Sequence, residues 1–111
     1  MDKNSFHKDV LELVKLIPEG RVTSYGAIAK YLGMRSGARM VGWALNKSIF
    51  AGDPIPAHRV VNRNGLLTGK AHFPGNSMED QLMKEGIIIK NDQIQNFKER
   101  FWNPEDELND L

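Results

Sequence analysis

The chain carries three histidines, His7, His58 and His72, and no cysteine. The histidines are scattered, and no pair stands at helical ligand spacing, so no metal centre is expected. Without cysteine there is no disulfide, no thiolate zinc site and no thiol nucleophile. Gly65 and Gly69 bracket a turn and form no glycine-rich phosphate loop, so no nucleotide cofactor is expected either. His7 and His72 read as surface residues. What remains is charge chemistry. Residues 1–70 hold eleven Lys/Arg against five Asp/Glu, and residues 71–111 hold four against nine. Between Arg21 and Gly52 there is no acidic residue and there are five basic ones: Arg21, Lys30, Arg35, Arg39 and Lys47. A phosphate-facing surface needs such a stretch, because intruding carboxylates cancel attraction to a polyanion. A solvated basic face with no partner fits the same residues.

The elements that must carry these charges follow from spacing. Phe6, Val10, Leu11, Val14 and Ile17 predict an amphipathic helix over Ser5–Ile17, ended by Pro18. Thr23 or Ser24 caps a second helix through Ala27–Leu32, closed by Gly33. Ser36 caps a third, Gly37–Lys47, with Ala38, Val41, Ala44 and Leu45 inward and Arg39, Trp43 and Asn46–Lys47 as an outward stripe. Pro54 and Pro56 make Ser48–Pro56 a loop. His58–Val61 reads as a strand turning at Asn64-Gly65 into Leu66-Leu67, a hairpin. Ser77 and Asp80 resemble a capping box for a helix ended by Gly86, and Ile87–Ile89 reads as a further strand. Phe97, Phe101 and Trp102 dock a C-terminal segment on the core, or offer a surface to a protein partner. Residues 1–103 are expected to form one domain and 104–111 an acidic, frayed tail. No apolar run approaches a membrane span and Met1–Asp9 is polar, so a soluble, cytoplasmic protein without membrane contact is expected.

Two short helices joined by Gly33-Met34-Arg35-Ser36 form a helix-turn-helix pattern, and the hairpin after them would be its wing. The second of them opens with small residues, Ser36-Gly37-Ala38, around one arginine, Arg39. Small side chains allow close approach to a minor groove, and one arginine can then enter the base stack, as in base flipping. Close helix packing is an equal account of the glycines, and a phosphate contact an equal account of Arg39. Trp43 either touches sugar–phosphate or is buried under the loop before Pro54. Arg59 either touches phosphate or forms a structural ion pair.

Pro56-Ala57-His58-Arg59-Val60-Val61 resembles the active-site segment of the O6-alkylguanine-DNA alkyltransferases, Pro-Cys-His-Arg-Val, with Ala57 where that family has its acceptor cysteine. Gly20–Ala29 is similar to the family's helix-turn-helix entry, Ala38–Gly42 to its recognition helix, and Lys84-Glu85-Gly86 to the segment with its active-site glutamate. The matches keep their order over roughly residues 6–90. The cysteine-less alkyltransferase-like group fits best, although tryptophan is its commoner residue at the position of Ala57. The resemblance implies a mainly α fold with a short β-hairpin: a winged helix-turn-helix-like domain of the C-terminal type of that family. It implies that Tyr25 turns the 3′ phosphate of the target nucleotide and that Arg39 fills the gap left by a flipped base. His58 and Glu85 then persist as a structural pair. Ser36, Gly37, Ala38, Trp43 and Arg59 complete the expected DNA contacts, and Tyr25, Pro56, Ala57, Val60 and Lys70 the lesion pocket.

Alkyl transfer needs a nucleophile that keeps the alkyl group, and Ala57 has no heteroatom. Ser48, Thr68 or Ser77 would each need a dedicated base and would be poorer nucleophiles. The expectation is therefore a non-enzymatic sensor of O6-alkylguanine in double-stranded DNA, acting as a monomer and handing the site to nucleotide excision repair proteins. Two alternatives stand beside it: a winged-helix regulator that reads sequence, and a His58–Glu85 hydrolytic dealkylase.

Overall fold

The first helix, α1, forms over Lys3–Val14 in the computed structural model, which describes residues 3–108. Phe6, Val10, Leu13 and Val14 are buried along one side, and Leu11 packs at their margin. The helix ends earlier than its apolar spacing predicts. Leu16 and Ile17 bond to carbonyls three residues back, because Pro18 disfavours helical backbone at Ile17. Ile17 still reaches the core.

Thr23–Ser24 is the short strand β1, and Ser24 also caps α2, Tyr25–Tyr31, its Oγ accepting from the Ala27 N–H at 3.1 Å. Gly33, at φ +83°, turns the chain toward α3, Ala38–Ala51. Two expectations fail here. Ser36 is exposed and does not cap; Gly37 occupies the cap position without a side-chain bond. The helix also runs through Ser48–Ala51, the first part of the expected loop Ser48–Pro56. Proline first intervenes at Pro54, Ser48 is buried with its hydroxyl donating to Asp53 at 2.8 Å, and Gly52 in the left-handed region supplies the stop. Gly37 is the close-approach residue of the helix pair. A Cβ there would stand 2.9 Å from both the Cβ and the carbonyl oxygen of Met34. Gly37→Ala is therefore expected to destabilise the domain by about 1–3 kcal/mol. An unchanged midpoint of denaturant unfolding would contradict this.

The expected hairpin after His58 is absent. His58 lies in a 3₁₀ turn, Ala57–Arg59, and the strand β2, Val60–Val61, pairs in parallel with β1 (Thr23 beside Val60, Ser24 beside Val61). The turn at Asn64-Gly65 does exist. The Asn62 side chain accepts from the N–H groups of Asn64 and Leu66, both at 2.8 Å, and so takes up bonds that a return strand would use. Leu66 bridges Gln93 instead. The hairpin of the fold is β3, Ile89–Lys90, with β4, Gln93–Ile94. Its turn residues Asn91 and Asp92 both have positive φ, as a tight two-residue turn requires.

Helix α4, Ser77–Lys84, begins at Ser77 itself, after Asn76, and has no side-chain cap. The predicted capping box is therefore not formed: the Asp80 N–H bonds the Asn76 carbonyl. Ile87 is buried, but the strand begins only at Ile89 and Ile88 is exposed. Phe97 opens the short helix α5, Phe97–Arg100, and its ring meets Phe101 edge-on at 5.5 Å. Trp102 is buried in the core, and Val22 exchanges backbone bonds with Arg100 and Trp102.

The segment expected to fray from Pro104 is helical over Pro104–Glu107 (α6), capped by Asn103 and packed on α2. Buried Pro104 anchors it, and Glu105 and Glu107 pair with Lys30 and Arg21. The remainder of that tail, residues 109–111, lies outside the described residues.

Two apolar clusters result. One gathers α1, α2 and α3 around Ala57, Val60 and Trp102; the other gathers Val22, Val61, Leu67, Met78, Leu82, Ile87 and Ile94. Successive strand residues point to opposite faces. Val60 and Val61 thus join the two clusters through one strand, and the 3₁₀ turn just before them is held from both sides.

Candidate nucleic-acid interface

Helix α3 presents Ala38, Arg39, Gly42, Trp43 and Asn46 to a groove of about 380 Å³, whose other wall is Thr68, Gly69 and His72. Tyr25, at the start of α2, closes the inner end. Burial raises its pKa above the ordinary phenol value, opposed by a hydrogen bond with Thr68. The group therefore stays a neutral phenol at physiological pH, able to donate to an anion without repelling it. A Cβ on Gly69 would stand 2.6 Å from the Tyr25 hydroxyl, so a bare glycine backbone is what lets this ring sit where it does.

The basic stretch is acid-free in sequence but not in space. Glu107 lies 3.8 Å from Arg21 and Glu105 lies 3.9 Å from Lys30. Among the described residues Arg35, Arg39 and Lys47 have no carboxylate partner, and all three are exposed. Within this stretch the free positive charge is thus concentrated on α3 and the turn before it. Trp43 is exposed on the same helix, which settles its two readings against burial under the Pro54 loop.

Beyond the groove lies a second cavity of about 270 Å³ that includes Ala57 and His58, with Ile49, Ile55 and Phe73 as apolar walls and Asp53 among its polar residues. Pro56 precedes the 3₁₀ turn and Ala57 is 5 % exposed. His58 Nε2 lies 2.7 Å from Glu85. Arg59 donates to the same carboxylate from Nε and Nη2, at 3.0 Å and 2.8 Å, and from Nη1 to the Ile17 carbonyl. The Gly20 N–H is a further donor at 3.1 Å. Burial works against the charge on Glu85, but Arg59, His58 and Gly20 outweigh it and hold the carboxyl down at about 2. Such a carboxylate is a fixed anion and a poor proton acceptor.

Several expected site residues therefore fall elsewhere. Arg59 takes its structural role, with its guanidinium spent on Glu85 and Ile17. Val60 is wholly within the core and lines neither cavity. Lys70, exposed beside Gly69, pairs with Asp92 and also lines neither. Ser36 is exposed outside the groove, and Gly37 is buried against Met34. Tyr25, Ala38, Arg39 and Trp43 come together, and Ala57 lines the separate cavity, while Pro56, one residue before it, lines neither. Sequence reasoning missed Thr68, His72 and Phe73. Gly65 and Gly69 marked their segment as a turn, but nothing in the spacing shows that it folds back onto Tyr25.

An arginine on a small-residue helix with a groove beside it belongs to a helix-turn-helix domain that also holds a separate cavity at Ala57. The chain belongs to the 6-O-methylguanine DNA methyltransferase family, whose DNA-binding domain matches residues 5–87. It is 35% identical to alkyltransferase-like protein 1 of Schizosaccharomyces pombe, over 94% of this chain and 100% of that one. It is 36% identical to the DNA base-flipping protein of Escherichia coli, over 91% of this chain and 77% of that protein. The crystal structure of S. pombe Atl1 in complex with damaged DNA containing O6-carboxymethylguanine superposes with a TM-score of 0.77 at 33% identity, covering 94% and 100% of the two chains. The M. tuberculosis O6-methylguanine methyltransferase superposes with a TM-score of 0.58 at 34% identity, over 72% of this chain and 47% of that one.

Proposed function

We propose that this protein recognises O6-alkylguanine in duplex DNA without repairing it. The observation that carries the reading is the partly open cavity at Ala57. It keeps His58, bonded to Glu85, but has a methyl at Ala57 where the alkyltransferases hold their acceptor thiol, and the Ser77 hydroxyl in its lining is a far poorer nucleophile than a thiolate. In this reading α3 enters the minor groove, Tyr25 faces the phosphate 3′ to the target, and Arg39 takes the place of the extruded base. The base then lies beside Ala57. Extrusion costs a few kcal/mol and least for a poorly paired base, so an O6-alkylguanine is favoured before any pocket contact forms. A methyl at position 57 leaves more room than a bulkier side chain would, which suits larger adducts. The binding of damaged DNA by S. pombe Atl1 supports this reading, as does the name of the E. coli relative. Delivery of the occupied site, bound by a monomer, to nucleotide excision repair proteins is part of the same proposal.

The test is a titration of duplexes with and without a single O6-alkylguanine, followed by mass spectrometry of the protein. Tighter binding of the modified duplex and an unchanged protein mass are expected. Equal affinities, or an alkyl group on the protein, would overturn the reading. Turnover to a free alcohol would indicate hydrolysis instead, which the engaged and strongly acidic Glu85 argues against.

A further inference from the structure

Among the described residues six large apolar side chains are exposed: Leu16, Tyr31, Trp43, Phe50, Met83 and Ile88. Leu16 and Tyr31 share a shallow groove with Asp9 and Glu12, whose carboxylates disfavour a polyanion. Met83 and Ile88 stand singly. Trp43 and Phe50 differ: they lie on one helix, seven residues apart, 64 % and 95 % exposed. Seven residues are close to two helical turns, so both side chains leave the same face. Arg39 precedes Trp43 by four residues and Lys47 lies between Trp43 and Phe50. The exposed stripe therefore reads cation, aromatic, cation, aromatic over about 16 Å.

Such a stripe has few uses in an isolated domain. Phe50 is the most exposed of the six, and nothing among the described residues covers it. Arg39 and Lys47 lack carboxylate partners among the described residues, and α3 contains no acidic residue, so charge complementarity calls for an anionic partner. Alternating cations and aromatic rings are what an unpaired nucleic-acid strand requires, with cations following the phosphates and rings stacking on base faces whatever the sequence. Trp43 and Phe50 stand about 10 Å apart, close to three stacked-base steps. The stripe is continuous with the groove that holds Arg39 and Tyr25.

We infer that Trp43 and Phe50 form a stacking rail for unpaired bases, so that the protein holds a locally opened DNA strand even where no alkyl group is present. The inference rests on the DNA binding proposed above and adds a second class of ligand, undamaged DNA with unpaired bases. The rail engages bases by their faces and so shows little sequence preference.

The protein offers its own probe. Of its two tryptophans, Trp43 is exposed and Trp102 is 4 % exposed in the core. Titrating the full chain with an undamaged duplex containing a short bulge should quench the Trp43 emission, while the fully paired duplex quenches it less. Trp43→Ala and Phe50→Ala should each weaken binding of the bulged duplex by about fivefold or more, and Trp43→Phe should retain most of it. The emission of Trp102 in Trp43→Ala reports whether the variant is folded. Unchanged emission with the bulged duplex, or equal affinity of Trp43→Ala and the parent protein for it, would sink the rail. An O6-alkylguanine duplex run in parallel separates the two proposals. If it is preferred while bulged and paired duplexes bind alike, the rail alone fails. If bulged DNA is preferred and the lesion is not, the lesion reading alone fails.

Discussion

Glu85→Gln is expected to lower the melting temperature by roughly 10–20 °C, the largest effect on stability that any single polar substitution in this chain should have. The carboxylate is 8 % exposed and takes hydrogen bonds from His58, Arg59 and the Gly20 N–H. These contacts join the ends of distant segments: the turn after α1, the 3₁₀ turn at Ala57 and the end of α4. Glutamine keeps the volume but removes the charge, leaving the Arg59 guanidinium without its anion. Breaking a buried ion pair from one side costs about 3–5 kcal/mol. The same pair predicts an acid limit to stability. Glu85 has a folded-state pKa of about 2 against an ordinary value of 4.5. A group whose pKa falls on folding contributes fully above its unfolded value and loses that contribution as pH falls toward the folded one. The loss here spans about pH 4.5 to 2 and amounts to about 3 kcal/mol. Denaturant unfolding of the parent protein at a series of pH values should show it, and Glu85→Gln should lack that phase. A variant as stable as the parent at neutral pH would mean that the pair is not what fastens the turn.

How far the sequence disclosed this molecule depended on the range over which each signal acts. The first three helices and α4 were legible because apolar spacing and local breakers such as Pro18, Gly33 and Gly86 act within a few residues. Boundaries failed where tertiary contact replaced a local cue. Ser48 looks like a loop residue, yet its hydroxyl finds Asp53 and lets α3 run on to Ala51. The hairpin failed for a related reason. Asn64-Gly65 does turn, but Asn62 satisfies the local donors, and Val60–Val61 pairs with a strand 37 residues earlier in register. No short-range pattern encodes that choice. At the site, Arg39 and Ala57 were legible from residue type and from resemblance to the alkyltransferases. Val60 and Lys70 were misplaced because neighbours in sequence to a functional residue need not share its face. The pairing of Arg21 and Lys30 with Glu107 and Glu105 was invisible for the same reason, and it trims a five-residue basic stretch to three free cations.

Arg39→Ala is expected to weaken binding of an O6-alkylguanine duplex by about ten- to a hundredfold while leaving stability within about 0.5 kcal/mol of the parent. The side chain is exposed and has no carboxylate partner among the described residues, so the fold does not depend on it. Two roles are open to such a residue, and they respond differently to salt. As a phosphate contact, Arg39 would contribute about 0.9 to the slope of log affinity against log salt concentration. Its removal would then weaken lesion and paired duplexes alike, and lysine would largely restore it. As a group that fills the space of an extruded base, it offsets part of the few kcal/mol lost when a base leaves the stack. Its removal should then fall mainly on the duplex from which a base is extruded, at every salt concentration, and lysine, lacking the flat guanidinium, should restore little. The small residues around it favour the second role. Ala38 and Gly42 flank Arg39 along the groove wall, and a helix lined in that way can approach closely enough for one long side chain to reach the stack. A loss shared equally by both duplexes and repaired by Arg39→Lys would return Arg39 to the phosphate backbone and leave the extruded base without a replacement.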